Sequence, residues 1–407
     1  MLIRHEIHLA VFFCTLLFCL IMMDHATLSA SAARPLESVA APIAMFTTFV
    51  HPEAAQRVQA VLHSTFLSEG KLVKEFETRL SAELGMLHPA ALNSGTSALH
   101  LALEVAGVGP GDEVILAPQT FIASAIVVVQ VGARPVFADV QYETGNIDPA
   151  DIEHRITART KAIMAVHWGG YPCDLDEIHA VARRHGLVVI EDAAHAPGAT
   201  YKGRPIGSIS DFTCFSFQAI KHLTTGDGGA LCARTPEQAQ HVFRRRWFGI
   251  DRANSPVSEI GEREYDLTDV GYKYHLSDYA AALGLANLQG FQERMSRRRA
   301  LVRQYEAGLR QVPGLHLFEH QADRESAHWL FGLHVENRLQ FIRALKAKGV
   351  AASVVHDGID NNTLFGGKRP DLVNQRRFDE TQIHLPLHDD LTSEQVGYII
   401  DLITQGW

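Results

Sequence analysis

Val188-Val189-Ile190-Glu191-Asp192-Ala193-Ala194-His195-Ala196 reads as a short apolar strand that runs out onto a carboxylate. Downstream comes Ser216-Phe217-Gln218-Ala219-Ile220-Lys221-His222-Leu223-Thr224-Thr225-Gly226-Asp227-Gly228-Gly229, which sets one lysine in a polar, glycine-rich loop. In parallel sheets, ligands bind beyond the carboxyl ends of the strands, and Asp192 stands at such an end. A lone lysine is ordinarily a solvated surface group. Here its neighbours argue otherwise. A lysine amine that condenses with an aldehyde, beside an Asp that keeps a proton on a pyridine nitrogen, is the pair that pyridoxal phosphate (PLP) chemistry needs.

Working outward, helical and strand-like periods alternate. Helical spacing starts at Pro52 with Val58, Val61 and Leu62, then recurs over 72–84, 97–106, 122–131, 149–156 and 175–185. Strand-like runs fall at 113–117, 135–138, 162–166, 187–191, 213–217 and 229–233. This alternation predicts an α/β fold, with a mostly parallel sheet covered by helices on both faces. Beyond Gly271 the pattern changes. Residues 276–309 read as one long helical stretch, followed by a strand at 329–335, a helix at 338–348, a strand at 351–355 and a helix at 393–403. The expected organisation is an extension at 1–44, a large domain at 45–290 and a smaller α/β domain at 291–407.

With 407 residues, 46% hydrophobic and 20% charged, the chain can bury a sizeable core. Its net charge of -9 argues against a nucleic-acid partner. The histidines are scattered, without an HExxH pattern or a Cys-x-x-Cys pair, so no metal site is expected. Cys173, Cys214 and Cys232 are too widely spaced for a disulfide framework. Cys214 and Cys232 fall in apolar runs and read as buried thiols of a reducing compartment.

The N-terminus pulls the other way. An apolar run at 9–23 follows Arg4 and precedes Ala30-Ser31-Ala32, the three parts of a secretory signal. It is short for a membrane span, and Glu6 offsets Arg4. A signal, an anchor and an extension translated from upstream of the true start all fit it. The need for cytosolic substrates favours the third, so the expected location is the cytoplasm, with no stable membrane partner.

Asn93-Ser94-Gly95-Thr96-Ser97-Ala98-Leu99 opens a helix, and its first amides with the Thr96 hydroxyl suit a phosphate at a helix N-terminus. Pro118-Gln119-Thr120-Phe121 follows a strand, which brings Phe121 to the same sheet edge, where an aromatic ring stacks on a pyridine. Ser216 precedes Lys221 by five residues and can donate its hydroxyl to the cofactor phosphate. Gly226, Gly228 and Gly229 permit a tight backbone path after the lysine.

Together these segments resemble the DegT/DnrJ/StrS-type sugar aminotransferases, a branch of the fold-type-I PLP enzymes. The resemblance spans residues 49–403. It is carried also by Leu67-Ser68-Glu69-Gly70, Pro135-Val136-Phe137-Ala138-Asp139-Val140, Asn146-Ile147-Asp148-Pro149, Gly271-Tyr272-Lys273-Tyr274 and Leu385-Pro386-Leu387-His388. It implies PLP as cofactor and Lys221 as the Schiff-base lysine and proton carrier. It implies Asp192 at the ring nitrogen and His195, where many relatives carry Gln, near the ring hydroxyl. Gly95, Thr96 and Ser216 would hold the phosphate, and Phe121 would stack on the ring. It further implies a homodimer with shared active sites, in which the Gly271-Tyr272-Lys273-Tyr274-His275 segment reaches the partner's cofactor phosphate. Lys273 stands there in place of the usual Asn and still suits an anion.

The implied reaction passes an amino group from glutamate or glutamine to a keto-sugar, nucleotide-linked in the pattern of the family, for a surface polysaccharide or glycoconjugate. Three alternatives stay open. A PLP-dependent sugar dehydratase carries His in place of the lysine, which Lys221 opposes. An inosose-type cyclitol aminotransferase shares the chemistry. A non-catalytic sensor on the same fold draws only on the N-terminal run. His356, Arg252 and the Asn361-Asn362 loop are candidate sugar-nucleotide contacts.

Overall fold

The computed structural model describes residues 42–252 and 254–407. Its strands, in chain order, are β1 (Ala90–Leu92), β2 (Glu113–Leu116), β3 (Arg134–Phe137), β4 (Thr160–Val166), β5 (Val188–Asp192), β6 (Thr200–Tyr201), β7 (Arg204–Pro205), β8 (Phe212–Ser216), β9 (Gly229–Ala233), β10 (Leu315–Leu317), β11 (Arg324–Glu325), β12 (Phe331–Val335) and β13 (Gln382–Leu385). Seven of them form the main sheet, in the order β1-β9-β8-β5-β4-β2-β3. β9 alone runs against its neighbours; the other pairings, β8-β5, β5-β4, β4-β2 and β2-β3, are parallel.

Strand alternation splits the apolar residues between two faces. Ala91, Ile115, Ile163, Ala165 and Phe215 belong to one hydrophobic cluster, together with the Lys71–Leu84, Leu175–His185 and Asp278–Leu288 helices. Leu92, Val114, Leu116, Met164 and Cys214 belong to a second, under the Gly95–Val105, Ala123–Gln130 and Pro236–Arg245 helices. Both faces are therefore covered, as near-continuous apolar strands require. A third cluster joins β10, β12 and β13 to the Phe291–Leu309, Arg338–Ala347 and Ser393–Thr404 helices. Cys173, Cys214 and Cys232 are buried free thiols.

The structure departs from the sequence reading at several points. The stretch 276–309 is two helices, Asp278–Leu288 and Phe291–Leu309, parted at Gly290, whose φ of 65° breaks the helical path. The strand expected at 351–355 does not form. Val350 pairs singly with Ile43, and Ser353 with His384. The strand expected from 329 begins at Phe331, because the Leu330 N–H donates to the Gly169 carbonyl instead. The Pro236–Arg245 helix was not read from periodicity, although Thr235 and Gln238 form a reciprocal capping box at its start.

Ile43 is buried in the third cluster, and its N–H donates to the Gly349 carbonyl at 2.8 Å. The apolar run at 9–23, with most of the expected 1–44 extension, lies outside the described residues. Among the described residues, no helix is long and apolar enough to cross a membrane.

One long-range contact fixes the entrance to the first helices. Gly70 supplies no side-chain cap to the Lys71–Leu84 helix. The buried Asp278 carboxylate does so instead, accepting from the Gly70 N–H at 2.9 Å and the Val73 N–H at 3.0 Å. A Cβ on Gly70 would lie 2.6 Å from Asp278 Oδ2, so only glycine leaves room for this cap.

Candidate active site

The carboxyl ends of β2, β5 and β8 and the turn after β1 meet at one edge of the main sheet. They enclose a cavity of about 360 Å³. Gly95, Thr96, Phe121, Asp192, His195, Ser216 and Lys221 all line it. Seven of the eight residues singled out from the sequence are thus brought together from segments up to 126 positions apart. Lys273 is the exception. It is exposed, pairs with Trp247 in an isolated bridge, and holds its ammonium 5.9 Å from the Trp247 ring centre. Within one chain it does not reach the cavity of Lys221.

Lys221 lies just past a turn in which its N–H donates to the Gln218 carbonyl at 2.9 Å. Its Nζ sits 3.6 Å from the centre of the Trp329 ring. Withdrawal from water pushes the amine down to about 7, against the pull of the Asp192 charge. Asp192 is buried at the end of β5. Burial raises its carboxyl, while the Ser124 hydroxyl, donating at 2.7 Å, and the Ala194 N–H, donating at 3.1 Å, support the ionised form. On the opposite face of β5, Glu191 and His167 bond at 2.7 Å, both inaccessible to solvent, and lock the strand end in place.

His195 stacks on Trp329 with ring centres 3.8 Å apart and planes 16° from parallel. Burial and the positive Lys221 hold it well below its ordinary pKa, hence neutral. His356 lies 5.2 Å from Phe121, ring centre to ring centre. Burial and Lys221 hold it at about 4. Its carbonyl accepts from the buried Gln119 and Gln382 amides, both at 3.0 Å, which ties its loop to the one carrying Phe121.

The turn after β1 is shaped by close backbone packing. Ser94 caps the Gly95–Val105 helix by accepting from the Ser97 N–H at 2.9 Å. A Cβ on Gly95 would approach Ser216 Cβ to 2.9 Å, and one on Gly229 would approach the Ser94 carbonyl to 2.5 Å. The helix start is thereby pressed against the end of β8, and Gly95 and Thr96 line the cavity there.

These residues fit PLP. The helix start and the end of β8 offer backbone amides and the Thr96 and Ser216 hydroxyls for a phosphate. A carboxylate and an amine whose charges interact line the same space. His195 Nδ1 is buried without a hydrogen-bond partner among the described residues, so it remains free for a ligand. Of the sugar contacts suggested by sequence, His356 lines the cavity, whereas Arg252 and the Asn361-Asn362 pair do not. Trp329, Ser124 and Thr120 were missed as site residues. Ser124 read as helix interior and Trp329 as the start of a strand, and nothing local marks either as a neighbour of Lys221.

A family model for the DegT/DnrJ/EryC1/StrS aminotransferase family matches residues 50–404. The spore coat polysaccharide biosynthesis protein SpsC of Bacillus subtilis (strain 168) is 40% identical over 364 residues, covering 86% of this chain and 93% of that protein. GDP-perosamine synthase of Caulobacter vibrioides is 36% identical over 352 residues, covering 84% and 92%. Among solved structures, the sugar aminotransferase CalS13 from Micromonospora echinospora superposes with a TM-score of 0.85 at 34% identity, covering 90% of this chain and all of that one. Solved structures similar to this chain include PLP and PMP forms.

Proposed function

The chain belongs to the DegT/DnrJ/EryC1/StrS aminotransferase family of PLP-dependent sugar aminotransferases, and from that premise we propose that it transfers an amino group from glutamate or glutamine to a nucleotide-linked keto-sugar. The observation that carries this reading is the joint presence of Lys221 and Asp192 in one cavity. The lining supports an uncharged, hydroxyl-rich group, the sugar ring of the acceptor, beside the amine: Lys221 is its only Lys or Arg, and its two histidines are held neutral. The name of GDP-perosamine synthase supports the nucleotide linkage by analogy.

In this reading Gly95, Thr96 and Ser216 hold the cofactor phosphate, Phe121 stacks on the ring, His195 approaches the ring hydroxyl, and Asp192 holds a proton at the ring nitrogen. When bound, PLP supplies an electron sink that makes the donor's α-hydrogen removable. Lys221 Nζ, with its pKa brought down to about 7, is free near neutrality to take that proton and return it. Trp329 keeps the amine over its face and shields it from water.

We further propose a homodimer in which Lys273 meets the partner's cofactor phosphate. The exposed Phe66 (79%) and Tyr279 (49%), beside an apolar cleft lined by Val61, Leu72 and Leu285, support such a covered face. Light scattering of the purified protein is expected to give twice the chain mass. Lys273→Ala should weaken PLP retention without changing that mass, whereas retention equal to wild type would remove Lys273 from the site.

The function itself is tested with GDP-, UDP- and dTDP-linked keto-hexoses, each with L-glutamate or L-glutamine. One pairing is expected to yield an amino-sugar nucleotide and the donor's 2-oxo acid in equal amounts. A PLP-loaded enzyme that deaminates neither donor contradicts the transaminase reading. One that deaminates a donor yet aminates no keto-sugar contradicts the acceptor class.

A further inference from the structure

The buried acid of the cavity is the end of a chain of hydroxyls. Ser124 Oγ lies 2.7 Å from Asp192 Oδ2, and Thr120 Oγ1 lies 2.7 Å from Ser124 Oγ. All three side chains are nearly inaccessible: Thr120 and Ser124 are 1% exposed and Asp192 is 6% exposed. An ionised carboxylate only accepts hydrogen bonds. Ser124 therefore gives its one proton to Asp192, and must accept from Thr120 in turn. The direction of the whole chain is set by the charge at its end. The second carboxylate oxygen receives the Ala194 N–H at 3.1 Å.

We propose that Ser124, backed by Thr120, is a positioning residue that keeps Asp192 ionised and aimed at the cofactor's ring nitrogen. The proposal rests on the placement of Asp192 given above and adds the device that maintains it. A buried carboxylate tends to take up a proton. A charge-assisted hydroxyl bond opposes this about twice as strongly as a neutral one. The groups facing Asp192 from the surrounding segments are Lys221, His167 and the Cys214 thiol. Lys221 is the only lysine or arginine among them, and it is engaged with the cofactor in the working enzyme. Ser124 and the Ala194 amide are then the lasting support. Thr120 lies on the short connection that carries Phe121, and Ser124 on the first turn of the helix that follows it, so one segment places the stacking ring and also sets the charge behind it.

The experiment compares Ser124→Ala, Ser124→Thr, Thr120→Val and Asp192→Asn as purified, PLP-loaded proteins. The readouts are PLP retention on dialysis and the pH at which the visible absorption of the bound cofactor changes. A ring held less firmly cationic withdraws less electron density from its link to Lys221, so that pH moves upward. Ser124→Ala is expected to move it up by about one unit and weaken PLP binding about tenfold. Thr120→Val should move it less, in the same direction, and Ser124→Thr should restore the wild-type value. If Asp192→Asn shifts the transition and Ser124→Ala does not, the hydroxyl relay is wrong while the role of Asp192 stands. If Asp192→Asn itself changes neither readout, the placement of Asp192 at the ring is wrong. If Ser124→Thr behaves as Ser124→Ala does, packing rather than the hydroxyl is responsible, and the proposal fails.

Discussion

Lys221→Ala is expected to give a folded protein that no longer transfers an amino group, with kcat/KM lowered by about four orders of magnitude or more. The loss should be one of turnover and not of folding. The side chain makes no hydrogen bond that the fold uses: the turn is closed by the Lys221 backbone N–H, which alanine retains. The side chain is in fact a burden on the empty protein. Burial lowers its pKa from the ordinary 10.5 to about 7, so between these values the unfolded chain binds a proton that the folded chain does not. Stability contributed at this position therefore rises with pH across that window, and the penalty for burying the charge is fully present below it. Without cofactor, Lys221→Ala should raise the melting temperature more at pH 6 than at pH 10. Differential scanning calorimetry at both values checks this, and a coupled assay for the 2-oxo acid checks turnover. Turnover within about tenfold of wild type in the alanine variant would take the lysine out of the chemistry.

Gly229→Ala is the second large effect, and it comes from space alone. Gly229 opens β9 opposite Ser216 of β8 and Leu92 of β1. Its added methyl would lie 2.5 Å from the Ser94 carbonyl carbon and oxygen, and 2.7 Å from the Gly95 nitrogen. These are backbone atoms of the turn expected to hold the phosphate, and they cannot rotate away. The variant should lose about 3 kcal/mol of stability and bind PLP at least about tenfold more weakly. Its neighbour is the control. A methyl on Gly228 meets chiefly the Thr225 side chain, at 2.1 Å from Oγ1, and that side chain can turn aside. Gly228→Ala should therefore cost less in urea unfolding and in PLP titration. Equal effects at the two positions would mean that the contact with the Ser94 turn is not what matters.

Much of the site was legible because the chemistry sits at strand ends. Asp192 and Ser216 close β5 and β8, and Gly95 follows β1 within three residues. A reader who recognises strands and their carboxyl ends finds these residues without knowing how the strands pair. Legibility fails where the third dimension supplies the neighbour. Trp329 comes from a segment more than a hundred positions after Lys221, ahead of a different sheet, yet it forms the surface on which the amine rests. Ser124 looks like any small residue early in a helix, and only the placement of that helix start beside the end of β5 makes it a partner of Asp192. β1 is three residues long and composed of Ala90, Ala91 and Leu92, too short and small-sided for alternation to register. The break at Gly290 was readable in principle, since a glycine ending one helix and starting another is a known stop signal, but the apolar spacing continues across it.

The cap that Asp278 places on the Lys71–Leu84 helix has a consequence for biosynthesis. Val73 and its carboxylate partner are 205 positions apart. A ribosome working at about 5–20 residues per second needs roughly ten to forty seconds to bridge that interval. Throughout it, the emerging helix has a bare first turn and an uncovered apolar stripe. This part of the molecule is made early and secured late, and until position 278 has left the exit tunnel it is a natural client for a chaperone.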